Sequence, residues 1–368
     1  MDELRVRRLA VGLLSLALFA ACSDDGAGSG GSDGSGAAAD GSGGEGAASE
    51  TTTSTTTSTT GSGDGGSGTG GEAPASFLET YPLDAQFPES GTYDADDHVF
   101  YVGSLADGSI HRIDAATGAE ETFFEPSEPG AWWTLGMTVD PTTRRLWVCA
   151  MEDLSDSGAD PAYDGYVWLF DLETGTREEV FPLSSAYPEG TCTDVAVAAD
   201  GTAYVTDRDF GNVYAVHAEY GPSLFSSDSD LEASIVGQNA AVVLPDQSAL
   251  IIAIYLPSRL VRVDLSDGTA TDIAIEGSFA DATFLAGADG MTYQDGALYV
   301  AFTSELVRVT PTLADWTSVV AEEVEIPSGM TDVVSTPNGL YLLNGQAVSY
   351  ALGEEPEPFA LTRFTGNF

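Results

Sequence analysis

The chain of 368 residues carries 58 acidic against 12 basic side chains, a formal net charge of −46, and every basic residue is an arginine. Without lysine, Schiff-base chemistry and a P-loop phosphate site are excluded. A field this negative repels nucleic acid and anionic lipid headgroups, and it favours solubility and cations.

The first residues read as an address and not as fold. Arg5, Arg7 and Arg8 form a basic segment, and Leu9–Phe19 is an apolar stretch too short to span a bilayer comfortably. Ala20 and Ala21 then precede Cys22. The run Leu18-Phe19-Ala20-Ala21-Cys22 resembles the bacterial lipoprotein signal. That resemblance implies loss of residues 1–21, acylation of Cys22 and tethering in the cell envelope. Ser23, where an Asp would resemble an inner-membrane signal, points to the outer membrane, on its periplasmic or cell-surface face. A plain secretory cleavage site is the alternative. Residues 22–74 are a Gly/Ser/Thr/Asp tract, with TTTSTTTSTT at 51–60, that cannot bury a core and is expected to be disordered. Some fifty such residues reach about 40 Å. That is enough to hold a domain of residues 75–368 clear of a lipid surface.

From about residue 87 a three-beat unit recurs six times. A strand running into a turn comes first, at 90–97, 135–143, 193–201, 239–247, 289–296 and 331–339. An apolar strand follows, at 98–105, 145–151, 202–208, 249–255, 297–303 and 339–345. An alternating strand closes each unit, at 109–118, 166–175, 212–221, 259–268, 305–311 and 347–353. A more variable fourth strand follows most of these, as at 120–126 and 177–183. A period of roughly 40–50 residues with four strands predicts an all-β fold, a six-bladed propeller of four-stranded antiparallel blades. For blade 6 the fourth candidate is Pro358–Phe364. The segment Phe77–Tyr81 is expected to pair at the edge of that blade and close the ring.

Besides Cys22 the chain has Cys149 and Cys192, at strand ends that fall on one face of neighbouring blades. A disulfide formed in an oxidising compartment and two separate small core residues are both open.

In a four-stranded blade the first strand lines the channel, and its starting end shares a face with the loop between strands two and three. Blade by blade, that position holds Glu89, Leu135, Thr193 with Asp194, Asn239, Asp289, and Thr331 with Asp332. Apolar residues would close a channel equally well. Oxygen donors from several blades therefore suit a hard divalent ion, which can polarise a carbonyl and activate water. Turn-capping Asp and Asn are the structural alternative. Asp332 reads as a channel hydrogen-bonder and not as a ligand. The insertion Glu152–Gly165 is expected to hang over this face as a lid. Trp132 and Trp133 sit near the same rim, as core packing or as an aromatic platform for a substrate ring. His98, His111 and His217 lie in separate blades with no carboxylate or nucleophile spaced beside them. That argues against a His-based esterase and a His-rich zinc site.

The run from Phe87 to about Phe364 resembles the six-bladed propeller family that holds gluconolactonases and regucalcin, the senescence marker protein. Pro88-Glu89-Ser90 resembles its first-blade glutamate motif. Gly237-Gln238-Asn239-Ala240 stands where the family shows an Asn-Gly pair, and Ala288-Asp289-Gly290-Met291 matches its Asp-Gly motif. The resemblance implies that Glu89, Asn239 and Asp289 ligate a metal and that Asp289 also serves as general base. Calcium is the first choice of ion, with zinc, magnesium and manganese as alternatives. Thr193-Asp194-Val195 takes the place of an Asn-Asp pair whose Asn approaches metal or substrate, so Thr193 departs from the pattern. Thr193, Asp194, Asp332 and Trp133 are candidates for substrate contact or support. The expectation is a lipid-anchored, monomeric, metal-dependent hydrolase of a lactone, an ester or a sugar-like ligand, touching membrane only through its anchor. The alternative is a propeller that binds a ligand or a protein without turning it over.

Overall fold

The computed structural model describes residues 76–128, 130–153, 163–279 and 287–368. The signal, Cys22, the polar tract and residues 154–162 of the blade 2 insertion lie outside the described residues.

Six sheets follow one another along the chain, each one blade. Blade 1 is built from Pro88–Asp94, Val99–Ser104, Ile110–Asp114 and Glu120–Phe124. Blade 2 comprises Trp132–Asp140, Arg145–Asp153, Tyr163–Asp171 and Arg177–Pro182. Val195–Val197, Ala203–Thr206, Val213–His217 and Gly221–Ser226 make blade 3, and Val236–Val243, Ala249–Leu256, Arg259–Asp264 and Ala270–Asp272 make blade 4. Blade 5 contains Met291–Gln294, Ala297–Ala301, Glu305–Pro311 and Ser318–Glu325.

The second strands are the most apolar because each is sandwiched between the two neighbouring blades. Val99–Ser104 is buried at every residue, and Ala249–Leu256 at all but one. Outer strands such as Arg177–Pro182 face solvent and carry charge. The turns after the third strands of blades 1, 2 and 4 share one chemistry. Asp114, Asp171 and Asp264 accept from the residues that follow, and Gly118, Gly175 and Gly268 return their N–H to the same aspartates' carbonyls. Those glycines sit at φ of 74°, 69° and 77°, where a side chain would be strained.

Blade 6 departs from the expected assignment. Residues 347–353, expected as its third strand, include the helix Ala347–Leu352. Gln346 and Gly353 both take left-handed conformations, and Gly353 and Glu354 return N–H groups to Tyr350 and Ser349, which ends the helix in a Schellman-type cap. The Tyr350 ring packs on Phe87 at 4.9 Å, fastening the helix beside the start of blade 1. Ala360–Arg363, within the expected fourth strand, is instead the third, paired with Gly339–Asn344. The fourth strand is Thr80–Pro82, paired antiparallel with Ala360–Thr362. The N-terminal segment therefore closes the ring at blade 6, as the sequence predicts. Tyr81 fixes the seam by donating its hydroxyl to the Ala115 carbonyl of blade 1 at 2.7 Å.

Blade 5 gains a fifth strand. Ala274–Gly277, arriving from blade 4, lies parallel to Ser318–Glu325 and covers its edge.

Candidate functional site

Four inner strands are broken by a β-bulge where they reach one end of the channel. The register shifts between Pro88 and Gly91, Thr134 and Met137, Gln238 and Ala241, and Met330 and Asp332. A bulge sets two residues against one and re-aims a side chain. In blades 3 and 5 that end is reached by the residues just before the strand, Thr193–Asp194 and Asp289–Gly290. Together they line a channel of about 260 Å³ in which Glu89, Asn239 and Asp289 meet Thr193, Asp194 and Asp332.

Leu135 and Trp133 are placed differently. Both are 7% exposed and pack with Leu105, Cys149 and Cys192 in the apolar layer around blade 2. Neither lines the channel, because an apolar side chain gains more from that layer than from a polar bore. Cys149 and Cys192 are joined in a disulfide that ties blade 2 to the start of blade 3.

Asn239 donates Nδ2 to Asp289 Oδ1 at 2.7 Å across blades 4 and 5. Asp194 Oδ2 accepts the Ala241 N–H at 2.7 Å, and its Oδ1 accepts that of Val195 at 2.8 Å. Asp332 Oδ2 accepts the Gly91 N–H at 2.9 Å and the Ser90 hydroxyl at 3.2 Å, while its Oδ1 accepts the Val333 N–H at 2.7 Å. Thr331 Oγ1 donates to the Pro88 carbonyl at 3.2 Å. Thr193, only 4% exposed, has no hydrogen-bond partner for its Oγ1 among the described residues.

Burial pushes all four carboxyls up. Asp289 rises to about 8, chiefly through burial and then the Asp332 charge, with the Asn239 hydrogen bond opposing. Asp194 rises to about 8 and Asp332 to about 7, each against the pull of the amides it accepts. Glu89 stands well above the usual carboxylate range, by burial first and then the Asp289, Asp332 and Asp194 charges; Arg208 alone among its main influences opposes the rise. Near neutrality the cluster therefore holds protons or takes up a cation in their place.

The residues present fit a hard cation. The donor set is oxygen from two carboxylates and one amide, on three different blades, in a bore where carboxylates repel one another. The unsatisfied Thr193 hydroxyl adds a further oxygen on the same bore. Among the described residues, no three His, Cys, Asp or Glu side chains form a ligand group by themselves.

Sequence reasoning missed Arg208 and Tyr255. Both lie at the ends of second strands on the ligand face, Arg208 near enough to act on Glu89 and Tyr255 with a phenol raised by burial first and then by the Asp289 charge. Their signal is position, since each stands at the loop end of an apolar second strand. Asp207 holds the Arg208 loop rigid by accepting from Thr191, Tyr214, Asp209 and Phe210.

Similar solved structures share this architecture at low identity. The allergen Mala s 1 of Malassezia sympodialis is 18% identical, with 78% of this chain and 96% of that one covered and a TM-score of 0.63. A gluconolactonase of Xanthomonas campestris is 14% identical, with 77% and 88% covered and a TM-score of 0.54. A virginiamycin B lyase of Staphylococcus aureus is 13% identical, with 72% and 80% covered and a TM-score of 0.51. At these identities the likeness shows the fold alone. No curated protein matches the chain. Residues 87–340, which run from the Phe87 that packs on the helix to the last blade, match the SMP-30/gluconolactonase/LRE-like region. With its six blades and carboxylate-lined channel, the chain belongs to the SMP-30/gluconolactonase/LRE-like family.

Proposed function

We propose that the protein is a metal-dependent hydrolase of a lactone or similar ester, with Glu89, Asn239 and Asp289 holding one divalent ion, calcium first. The observation that carries this reading is the Asn239–Asp289 hydrogen bond beside Glu89, which gathers three oxygen-bearing side chains from blades 1, 4 and 5 in one bore. A bound ion would supply Lewis acidity toward the substrate carbonyl oxygen.

Asp289 is the base. Its Oδ1 is engaged by Asn239, so Oδ2 is the atom left to take a proton from water. The water oxygen bonds to the carbonyl carbon, the ring C–O bond breaks, and the departing alkoxide takes that proton back, leaving a hydroxy acid. A base with proton affinity near ambient pH suits both transfers. Thr193, with its unsatisfied hydroxyl, is the residue to orient a substrate oxygen.

The Xanthomonas campestris relative is described as a gluconolactonase, which supports a sugar-derived lactone as the substrate class. The Cys149–Cys192 disulfide supports an extracytoplasmic setting, reached through the signal and the acylated Cys22. A second reading, a propeller that binds without turnover, is favoured by the high proton affinity of the four carboxyls. Protonated, they donate to a ligand and do not activate water. Metal content of the purified protein, followed by a panel of sugar and aliphatic lactones with and without calcium, separates the two. Ion uptake with ring opening supports the hydrolase, and ion uptake or ligand binding with no lactone opened favours the binding propeller.

A further inference from the structure

We infer that Asp332 is a positioning residue that sets the separation of Glu89 from Asp289, and that Asp194 is its counterpart, steadying Asn239 alone. The inference rests on the metal reading of Glu89, Asn239 and Asp289.

Asp332 belongs to blade 6, which stands between the blades that carry Glu89 and Asp289. On one side its Oδ2 takes the Ser90 hydroxyl and the Gly91 N–H, one and two residues beyond Glu89. On the other side its Oδ1 fills the space that a side chain at Gly290 would need. A Cβ there would lie 2.0 Å from that oxygen, and Gly290 directly follows Asp289. One carboxylate is thus bonded to the main chain beside one ligand and pressed against the main chain beside the other.

The same device occurs a second time. Asp194 Oδ2 takes the N–H of Ala241, two residues beyond Asn239, and its Oδ1 lies 2.1 Å from where a Cβ on Gly136 would stand. The flanking bonds repeat as well, Gly136 N–H to the Thr193 carbonyl and Gly290 N–H to the Thr331 carbonyl, each 2.9 Å. Along the bore, blades 1–3 and 4–6 therefore repeat one arrangement, with Glu89 matched to Asn239, Leu135 to Asp289 and Thr193 to Thr331. The two repeats differ in what they hold. Asp332 lies between two ligand-bearing strands. Asp194 lies between one such strand and the strand of Leu135, which packs in the apolar layer. Blade 4 also has Ala240 where blade 1 has Ser90, so the Asp194 device lacks the hydroxyl bond.

Burying a carboxylate beside others is unfavourable, and each of these two is made tolerable by amides of another blade. Groups that orient metal ligands in this way typically change affinity about 10- to 100-fold when altered.

The test compares Asp332→Asn with Asp194→Asn in the full chain, by calcium titration calorimetry and by melting without the ion. Asp332→Asn is expected to weaken calcium binding about 10- to 100-fold, and Asp194→Asn by clearly less, while the two lose similar metal-free melting temperature. Equal loss of affinity in the two variants overturns the inference, because it would mark both carboxylates as general supports of the ring. Ser90→Ala is the mild form, since Ala240 already occupies the matching place. It keeps the Gly91 bond and is expected to weaken calcium a few-fold with little change in melting, and an unchanged affinity counts against the inference. If the wild-type protein takes up no divalent ion, the metal reading fails by itself. Amide exchange then tests the device: faster exchange at Gly91 in Asp332→Asn and at Ala241 in Asp194→Asn supports it, and unchanged rates overturn it.

Discussion

Blades 2 and 5 stand opposite each other in the ring and present the same main chain to the channel, yet only one of them brings chemistry. Gly136 and Gly290 make the same 2.9 Å bond to the threonine of the next blade, and each presses on the aspartate that follows that threonine. The residue before the glycine is Leu135 in one and Asp289 in the other. Leu135 joins Trp133 and Leu105 in the apolar layer, whereas Asp289 meets Asn239 in the bore. The main-chain arrangement is thus common to a blade that carries a candidate ligand and to one that does not. The site is a matter of which side chain is placed on it.

The strongest way to break that comparison is at blade 5. Asp289→Asn keeps the volume and removes the base, so lactone hydrolysis should fall by about 10²–10⁴-fold while the protein stays folded. Steady-state kinetics beside a circular dichroism melt decides it, and retained turnover would sink the role given to Asp289. The reciprocal change tests blade 2. Leu135→Asp buries a charge among Trp133, Leu105 and Cys149, and it should destabilise by about 3 kcal/mol or more. Urea unfolding measures this. A stable variant that gains a second ion site would show that the two blades are interchangeable, contrary to the packing.

Next in size is the cross-link beside Leu135. Replacing Cys149 and Cys192 by serine opens a covalent loop with a sequence separation of 43. The expected loss is about 3–4 kcal/mol in the chain-entropy model. Thiol titration of the unreduced, denatured wild-type protein should find neither cysteine free.

The last effect is one of pH, and its sign follows from the raised carboxyls. In the ion-free fold Asp289 and Asp194 titrate at about 8 and Asp332 at about 7, above their unfolded values. A raised acid binds its proton more tightly when folded. Its contribution is fully present below the unfolded value near about pH 4 and is lost as pH rises through about 7–8. Melting temperature without metal should therefore fall from about pH 5 to about pH 8. The rise produced by calcium should grow over the same range, because the ion competes with those protons. Fluorimetric melts with chelator and with calcium read both, and parallel curves would contradict the burial of these groups.

Much of the fold was legible because its cues are local. Apolar second strands repeat in each blade, so counting them counts blades, and Asp-to-Gly turns mark the ends of the third strands in blades 1, 2 and 4. Blade 6 misled because six residues of Ala347–Leu352 fit either period, and the true third strand is chosen by pairing with Gly339–Asn344. The ring of candidate side chains was legible because inner-strand starts converge by topology. The parts played by Asp194 and Asp332 were not, since their partners Ala241 and Gly91 lie 47 and 241 residues away. Arg208 was hidden for a related reason: its relation to Glu89 exists only once blades 1 and 3 share an axis.

The seam at blade 6 also dictates an order of assembly. Thr80–Pro82 is synthesised before the other strands of the six blades, and its partner strand, Ala360–Arg363, after them. Five blades can take shape while synthesis continues, but the sixth waits for Ala360–Arg363, and until then the first strand has nothing to hold. The ring can therefore lock only once Ala360–Arg363 is free to pair. A chain cut short before residue 360 would keep an open edge on Gly339–Asn344 and leave its N-terminal strand unpaired.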